Sequence, residues 1–129
     1  MEENGMRVIE TNNAPKAIGP YSQAILVDKM LFCSGQIPLD NISGEVVGED
    51  IVPQTEQVMK NIGALLNEAG VSFDKVVKTT CFLSDMEYFT EFNEIYARYF
   101  VSKPARSCVA AKQLPKNVLV EVEVIAFVE

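Results

Sequence analysis

Histidine is absent from the 129-residue chain. That removes serine–histidine and cysteine–histidine nucleophile systems, imidazole general bases and the commonest transition-metal ligand. Any catalysis has to use carboxylates, Tyr, Cys, Lys, Arg, backbone groups and water. Cysteine is scarce: Cys33, Cys81 and Cys108 are odd in number, widely spaced and contain no Cys-x-x-Cys. Such a pattern supplies no disulfide framework, so unpaired thiols in a reducing compartment are expected.

Positive charge is also sparse. Eleven Lys and Arg stand against eighteen Asp and Glu, for a net charge of −7. The basic residues are scattered, which disfavours the counterion-releasing patch of a nucleic-acid binder and any docking to an anionic membrane. One well-placed Arg still suffices for a small anionic ligand. No apolar run approaches the length that spans a bilayer. The N-terminal "MEENGMRVIE" is polar and acidic, unlike a signal peptide, and a cytoplasmic protein is expected. The length suits one domain over residues 1–129, with 1–5 expected to be flexible. A chain this size buries roughly two-thirds of its unfolded surface, enough for a true core.

What is present reads as alternating strands and helices. "RVIE" is a possible short edge strand, and "NNAPKAIGP" is loop. "YSQAILV" and "MLFCSGQI" predict a hairpin joined at Asp28-Lys29, a turn without the usual Gly. A helix is predicted from Asp50, a good N-cap, with Val58, Ile62, Leu65, Leu66 and Ala69 at helical spacing and Gly70 ending it. "VVKTTCFL" is β-branched and predicts a strand. Asp85 predicts the cap of a second helix, with an aromatic face of Phe89, Phe92, Tyr96, Tyr99 and Phe100. "ARSCVAA" reads as a buried strand, and "VLVEVEVIAFV" as the last one. The order β-β-α-β-α-β-β predicts an α+β fold whose two helices cover one face of a sheet.

The last strand is informative because side chains alternate between faces. One face carries Val118, Val120, Val122, Val124, Ala126 and Val128, and is core. The other carries Leu119, Glu121, Glu123, Ile125 and Phe127. That mixture suits either a subunit contact or an exposed antiparallel face.

Arg106 is the main candidate for chemistry, because its guanidinium cannot shed its charge. It fits either a salt bridge to Glu121 or Glu123, or a two-pronged clamp for a ligand carboxylate. Glu121 on a half-apolar strand face fits either an Arg-paired carboxylate or, with its pKa raised by burial, a group that moves protons. Tyr21 and Ser34 offer hydroxyls or are ordinary strand residues. Asn93 is a mid-helix amide among aromatics. Cys108 shares a strand face with Arg106, whose charge would lower a thiol pKa; it is either an inert thiol or a nucleophile. These residues point to an anion-recognising, oligomeric α+β domain and do not name a reaction.

The stretches "NAPKAIGPYSQA", "CSGQIPLD", "VVKTTCFLSDMEYFTEFNEIYARYF" and above all "PARSCVAAKQLPKNVLVEVEV" resemble the Rid family, the reactive intermediate deaminases, and most of all its RidA branch. The likeness runs from about Val8 to Phe127. Val122 departs from it, standing where the family prefers Ile or Met. The resemblance implies a chorismate-mutase-like two-layer sandwich, a homotrimer with clefts between subunits, and no metal or organic cofactor. The activity it implies is hydrolysis of 2-iminobutanoate and 2-iminopropanoate, small carboxylate-bearing imines, to 2-keto acids and ammonia. Carried over by position, Arg106 would clamp the substrate carboxylate and Glu121 would polarise the attacking water. Tyr21, from the adjacent subunit, and Asn93 would line the cleft. Ser34, the backbone of Gly35 and Cys108, mainly through its backbone, would complete it. A non-catalytic 2-keto-acid-binding regulator on the same fold, a nuclease and a holdase are the rival readings.

Overall fold

Alternation along the C-terminal strand decides which side of the sheet is core. In the computed structural model, which describes residues 2–3 and 5–129, Val120, Val122, Val124 and Ala126 are buried while Glu123 and Phe127 are exposed. The described strands are β1 (Glu2–Glu3), β2 (Met6–Ile9), β3 (Ala24–Val27), β4 (Met30–Gln36), β5 (Val76–Leu83), β6 (Ala105–Ala110) and β7 (Val120–Phe127). They form one sheet in the order β1-β2-β3-β4-β7-β5-β6. Only the β5–β6 pair is parallel.

Helices α1 (Ile51–Glu68) and α2 (Phe89–Tyr99) lie against one face. Val58, Ile62, Leu65 and Leu66 of α1 are fully buried, as their spacing predicts, while Ala69 is only partly so; Met59 is fully buried with them. Phe92 and Ile95 of α2, with Phe100 just beyond it, close the core beside them. The α+β architecture with both helices on one side is the one expected. The strand count is larger, because "RVIE" does pair as β2 and Glu2–Glu3 add β1. The expectation of flexibility over residues 1–5 falls in part on Met1 and Asn4, outside the described residues; Glu2–Glu3 pair with Arg7 and Met6.

Local chemistry departs from expectation at the start of α1. Asp50 precedes α1, but its side chain makes no capping hydrogen bond. Asp85 does cap, its Oδ1 accepting from the Glu87 N–H at 2.9 Å, although a short 3-10 turn intervenes before α2. In the β3–β4 turn Asp28 itself takes a left-handed φ of 54°, a conformation that Asp tolerates better than most residues. The largest difference concerns β6. It is not a buried strand but the exposed edge of the sheet, reached by the crossover through α2. No helix among the described residues is long and apolar enough to cross a membrane.

Candidate active site

The sheet divides the predicted site residues into two groups. Directly paired residues point to the same side of a sheet, and successive ones to opposite sides. Arg106 pairs with Thr79, and Thr79 pairs with Val124. Thr79 and Val124 are buried beneath the helices, so Arg106 faces the helix layer. Glu121 pairs with Phe82, three residues from Thr79, and faces the opposite, outer side.

The first group forms around Arg106. Its guanidinium carbon lies 4.7 Å from the Tyr96 ring centroid and 5.5 Å from that of Phe89. Its Nη1 donates to Asn93 Oδ1 at 2.6 Å. Asn93 and Tyr96 sit three apart on α2, hence on one helix face. Tyr96 is itself fixed, because its hydroxyl shares a 2.7 Å hydrogen bond with Thr79 Oγ1. Arg106 thus rests on an aromatic shelf with one edge held by an amide. The ion pairs among the described residues are Lys75–Glu129 and Arg98–Glu56; neither involves Arg106, so the internal salt bridge to Glu121 or Glu123 does not form within the protomer. The exposed guanidinium opens on a hollow of about 440 Å³, with Asn93, Tyr96, Lys103 and Pro104 in its wall.

Cys108 lies on the same face, half-buried. Burial pushes its thiol up, against the lowering influence of Arg106. Of the two readings of this thiol, the inert one is favoured, since desolvation of the charged form outweighs the pull of its cationic neighbour.

The second group surrounds Glu121. Burial, and next the charge of Glu123, hold its carboxyl above the usual carboxylate range. The β4–β7 ladder shifts register between Cys33 and Gln36, a bulge that presses Gly35 against this carboxylate. A Cβ at Gly35 would overlap Glu121 Oε2, so close approach of backbone and carboxylate requires glycine there.

Ser34 Oγ donates to the Ser22 carbonyl at 2.6 Å, and Ser34 N–H donates to the Gln23 carbonyl at 2.9 Å. That hydroxyl proton is committed to holding the segment before β3, and is not free for a ligand. Tyr21 is exposed, its hydroxyl accepting from Ile18 N–H at 3.3 Å. With Gly35, Gln36, Ile37 and Pro115 it borders a hollow of about 250 Å³.

Gln23 and the pair Tyr96 and Phe89 have site-building roles not assigned from sequence. Gln23 is buried, and its amide nitrogen donates to the carbonyls of Thr11, Ala14 and Pro15, which anchors the loop beside Tyr21. The aromatic spacing on α2 was visible, but it reads as core until the register of β6 places a cation over it.

Residues 11–128 match the family described as Endoribonuclease L-PSP. The chain belongs to this family, that of the Rid and YjgF proteins. AldR of Lactococcus lactis is 56% identical over 125 residues, 96% of this chain and 99% of that protein. A human protein named 2-iminobutanoate/2-iminopropanoate deaminase is 47% identical over 121 residues, 93% of this chain and 88% of that one. The solved structure of the Rid-family protein YyfA from Yersinia pestis has a TM-score of 0.93 at 53% identity, covering 95% of this chain and 99% of that one. In this Rid-family chain, the positions marked by the resemblance separate: Arg106, Asn93 and Cys108 lie on the helix side, Gly35 lies against the outer carboxylate of Glu121, and Ser34 and Tyr21 lie beside Gly35, the one next to it in β4 and the other across the hollow that both Tyr21 and Gly35 border.

Proposed function

We propose that the protein hydrolyses small 2-imino acids to 2-keto acids and ammonia, in clefts where Arg106 of one protomer meets Glu121 of another. The observation that carries this reading is the state of Arg106. It is positioned by Asn93 and Tyr96, yet no carboxylate of the described residues pairs with it. A held, unneutralised guanidinium suits the two-pronged binding of a carboxylate. The deaminase name of the human relative supports the same substrate class.

The reaction asks little of the protein. A protonated imine is already electrophilic at C2, so no covalent nucleophile is required. Arg106 would fix the carboxylate and Glu121 would hold and polarise a water aimed at C2. Water adds across the C=N bond, the nitrogen is protonated and departs as ammonia, and the carbonyl forms. Orientation and electrostatics supply the rate. Substrates would be 2-iminobutanoate and 2-iminopropanoate.

The separation of Arg106 and Glu121 supports a site completed by a second copy, and we assign a homotrimer. The outer face offers the surface for it: besides Glu121 and Glu123 it exposes Phe127, and Phe32, paired with Ile125 across β4–β7, is 45% exposed. Large side chains of this kind, mixed with acids, suit an interface.

The relative named "Putative regulator AldR" favours the second reading, a keto-acid-sensing module using the same cleft. Ribonuclease action, which the family's description suggests, fits poorly with a net charge of −7 and no histidine. The decisive experiment couples a pyridoxal-phosphate threonine dehydratase to this protein and follows 2-ketobutanoate. Acceleration by the wild type and none by Arg106→Ala supports turnover. No acceleration by the wild type, with 2-ketobutanoate still bound, supports the sensing module instead.

A further inference from the structure

Three cysteines remain outside the reaction just described, and two of them are placed as a pair. Cys81 on β5 and Cys108 on β6 are direct register partners in the parallel ladder. Their side chains project to the same side of the sheet, and their sulfurs lie close enough for each thiol to influence the other's ionisation. Adjacent strands run about 4.7–4.9 Å apart, within the ~4.4–6.8 Å of Cα separation that a disulfide spans. Cys33 has no such partner: its neighbours across the sheet are Ala24 and Val124.

We propose that Cys81 and Cys108 are an oxidisable thiol pair that closes to a disulfide, tying the edge strand β6 to β5 beside Arg106. The two positions differ in access, and the difference assigns their roles. Cys108 is half-buried on the edge strand, whereas Cys81 is completely buried behind it, its Sγ donating to Thr79 Oγ1 at 3.9 Å. Cys108 is therefore the sulfur that a small oxidant meets first, and Cys81 is the resolving thiol. With a peroxide as oxidant, the Cys108 thiolate attacks one oxygen; the O–O bond breaks, leaving a sulfenic acid and one water. Cys81 then gives up its proton, its sulfur attacks the Cys108 sulfur, and the hydroxyl leaves as a second water. Two thiols and one peroxide thus become one disulfide and two waters.

The cross-link would close a loop containing all of α2. Asn93, Tyr96 and Phe89, which seat Arg106, and Arg106 itself lie between the two cysteines in sequence. Oxidation would covalently fasten the crossover that builds the cationic half of the cleft. Burial favours the protonated form of both thiols, pushing Cys81 up to about 12, so the thiolate fraction is small and the pair oxidises slowly.

The test does not depend on the assigned reaction. The full-length protein is treated with hydrogen peroxide, its remaining thiols are alkylated without reduction, and intact and peptide masses are read. The expected result is an intact mass lower by two hydrogens before alkylation, a Cys81–Cys108 peptide, and Cys33 still alkylated. Cys33→Ser should give the same product, and Cys81→Ala should instead carry added oxygen on Cys108. Over-oxidation of Cys108 in the wild type with Cys81 still alkylated, or a link involving Cys33, would overturn the pairing.

Discussion

Arg106 and Glu121 stand on opposite faces of one sheet. Arg106 shares its register row with buried Thr79 and Val124, and Glu121 shares its own with Phe82. One protomer therefore presents a cation from the edge of its helix layer and a carboxylate from its outer sheet face. On the function proposed above, a small substrate that touches both is held between two copies. This geometry gives physical meaning to the mixed composition of β7, which would be wasteful on a surface that only met water.

Removing the cation should cut turnover sharply without unfolding the protein, because Arg106 is exposed and makes one side-chain hydrogen bond. Each charge-assisted contact to a substrate carboxylate contributes about 1.5–3 kcal/mol. Loss of two predicts a fall of ~10²–10⁴ in kcat/KM for Arg106→Ala. Arg106→Lys should recover only part of it, since an ammonium cannot form the planar fork. Steady-state kinetics on folded variants decide this, and a wild-type rate for Arg106→Ala would refute the clamp.

Tyr96 acts on Arg106 through its ring and on the core through its hydroxyl, and two substitutions separate these roles. Tyr96→Phe keeps the ring under the guanidinium and deletes the bond to Thr79 Oγ1; it should lower stability by about 1 kcal/mol with little change in KM. Tyr96→Leu removes the cation–π shelf as well, worth about 0.5–1 kcal/mol at an exposed site, and should raise KM roughly two- to fivefold. An unchanged KM in Tyr96→Leu would show that the shelf does not position Arg106.

The carboxyl of Glu121 is raised by burial and then by Glu123. A base or water-holding carboxylate works when ionised, so activity should fall as pH drops through this raised value, at a higher pH than an ordinary Glu would impose. Glu123→Gln removes one of the two raising causes. Its acid limb in a kcat/KM–pH profile should move to lower pH. A limb that stays in place or moves upward would mean that another group sets it.

Gly35→Ala tests the contact between bulge and carboxylate. The new methyl group would overlap Glu121 Oε2. The atoms it meets belong to the end of a flexible side chain, so the carboxylate should swing away while the backbone stays. We expect kcat to drop about tenfold or more, the scale of a misplaced water-activating group, with an essentially unchanged melting temperature. Full activity would separate Glu121 placement from catalysis.

Much of this fold was readable from local pattern. Helical spacing marked α1, Gly70 marked its end with a φ of 83°, and strict alternation marked the two faces of β7. The exposure of β6 was not readable, because "ARSCVAA" looks the same at the centre or the edge of a sheet; only the strand order β7-β5-β6 decides. The same long-range fact hid the partition of the site. Arg106 and Glu121 are fifteen positions apart in sequence, and their opposition depends on two ladder registers meeting at β5. Ser34 illustrates a smaller limit: a hydroxyl on a strand reads as available until its partner, the Ser22 carbonyl, is seen.

The shared cleft is tested most directly by mixing subunits. Arg106→Ala and Glu121→Gln proteins, each nearly inactive alone, are unfolded together and reassembled. If each cleft draws its arginine and its glutamate from different protomers, random equal mixing should restore about one quarter of the wild-type sites. Mixed assemblies, verified by mass, that show no deaminase activity beyond that of the two parents would contradict the account.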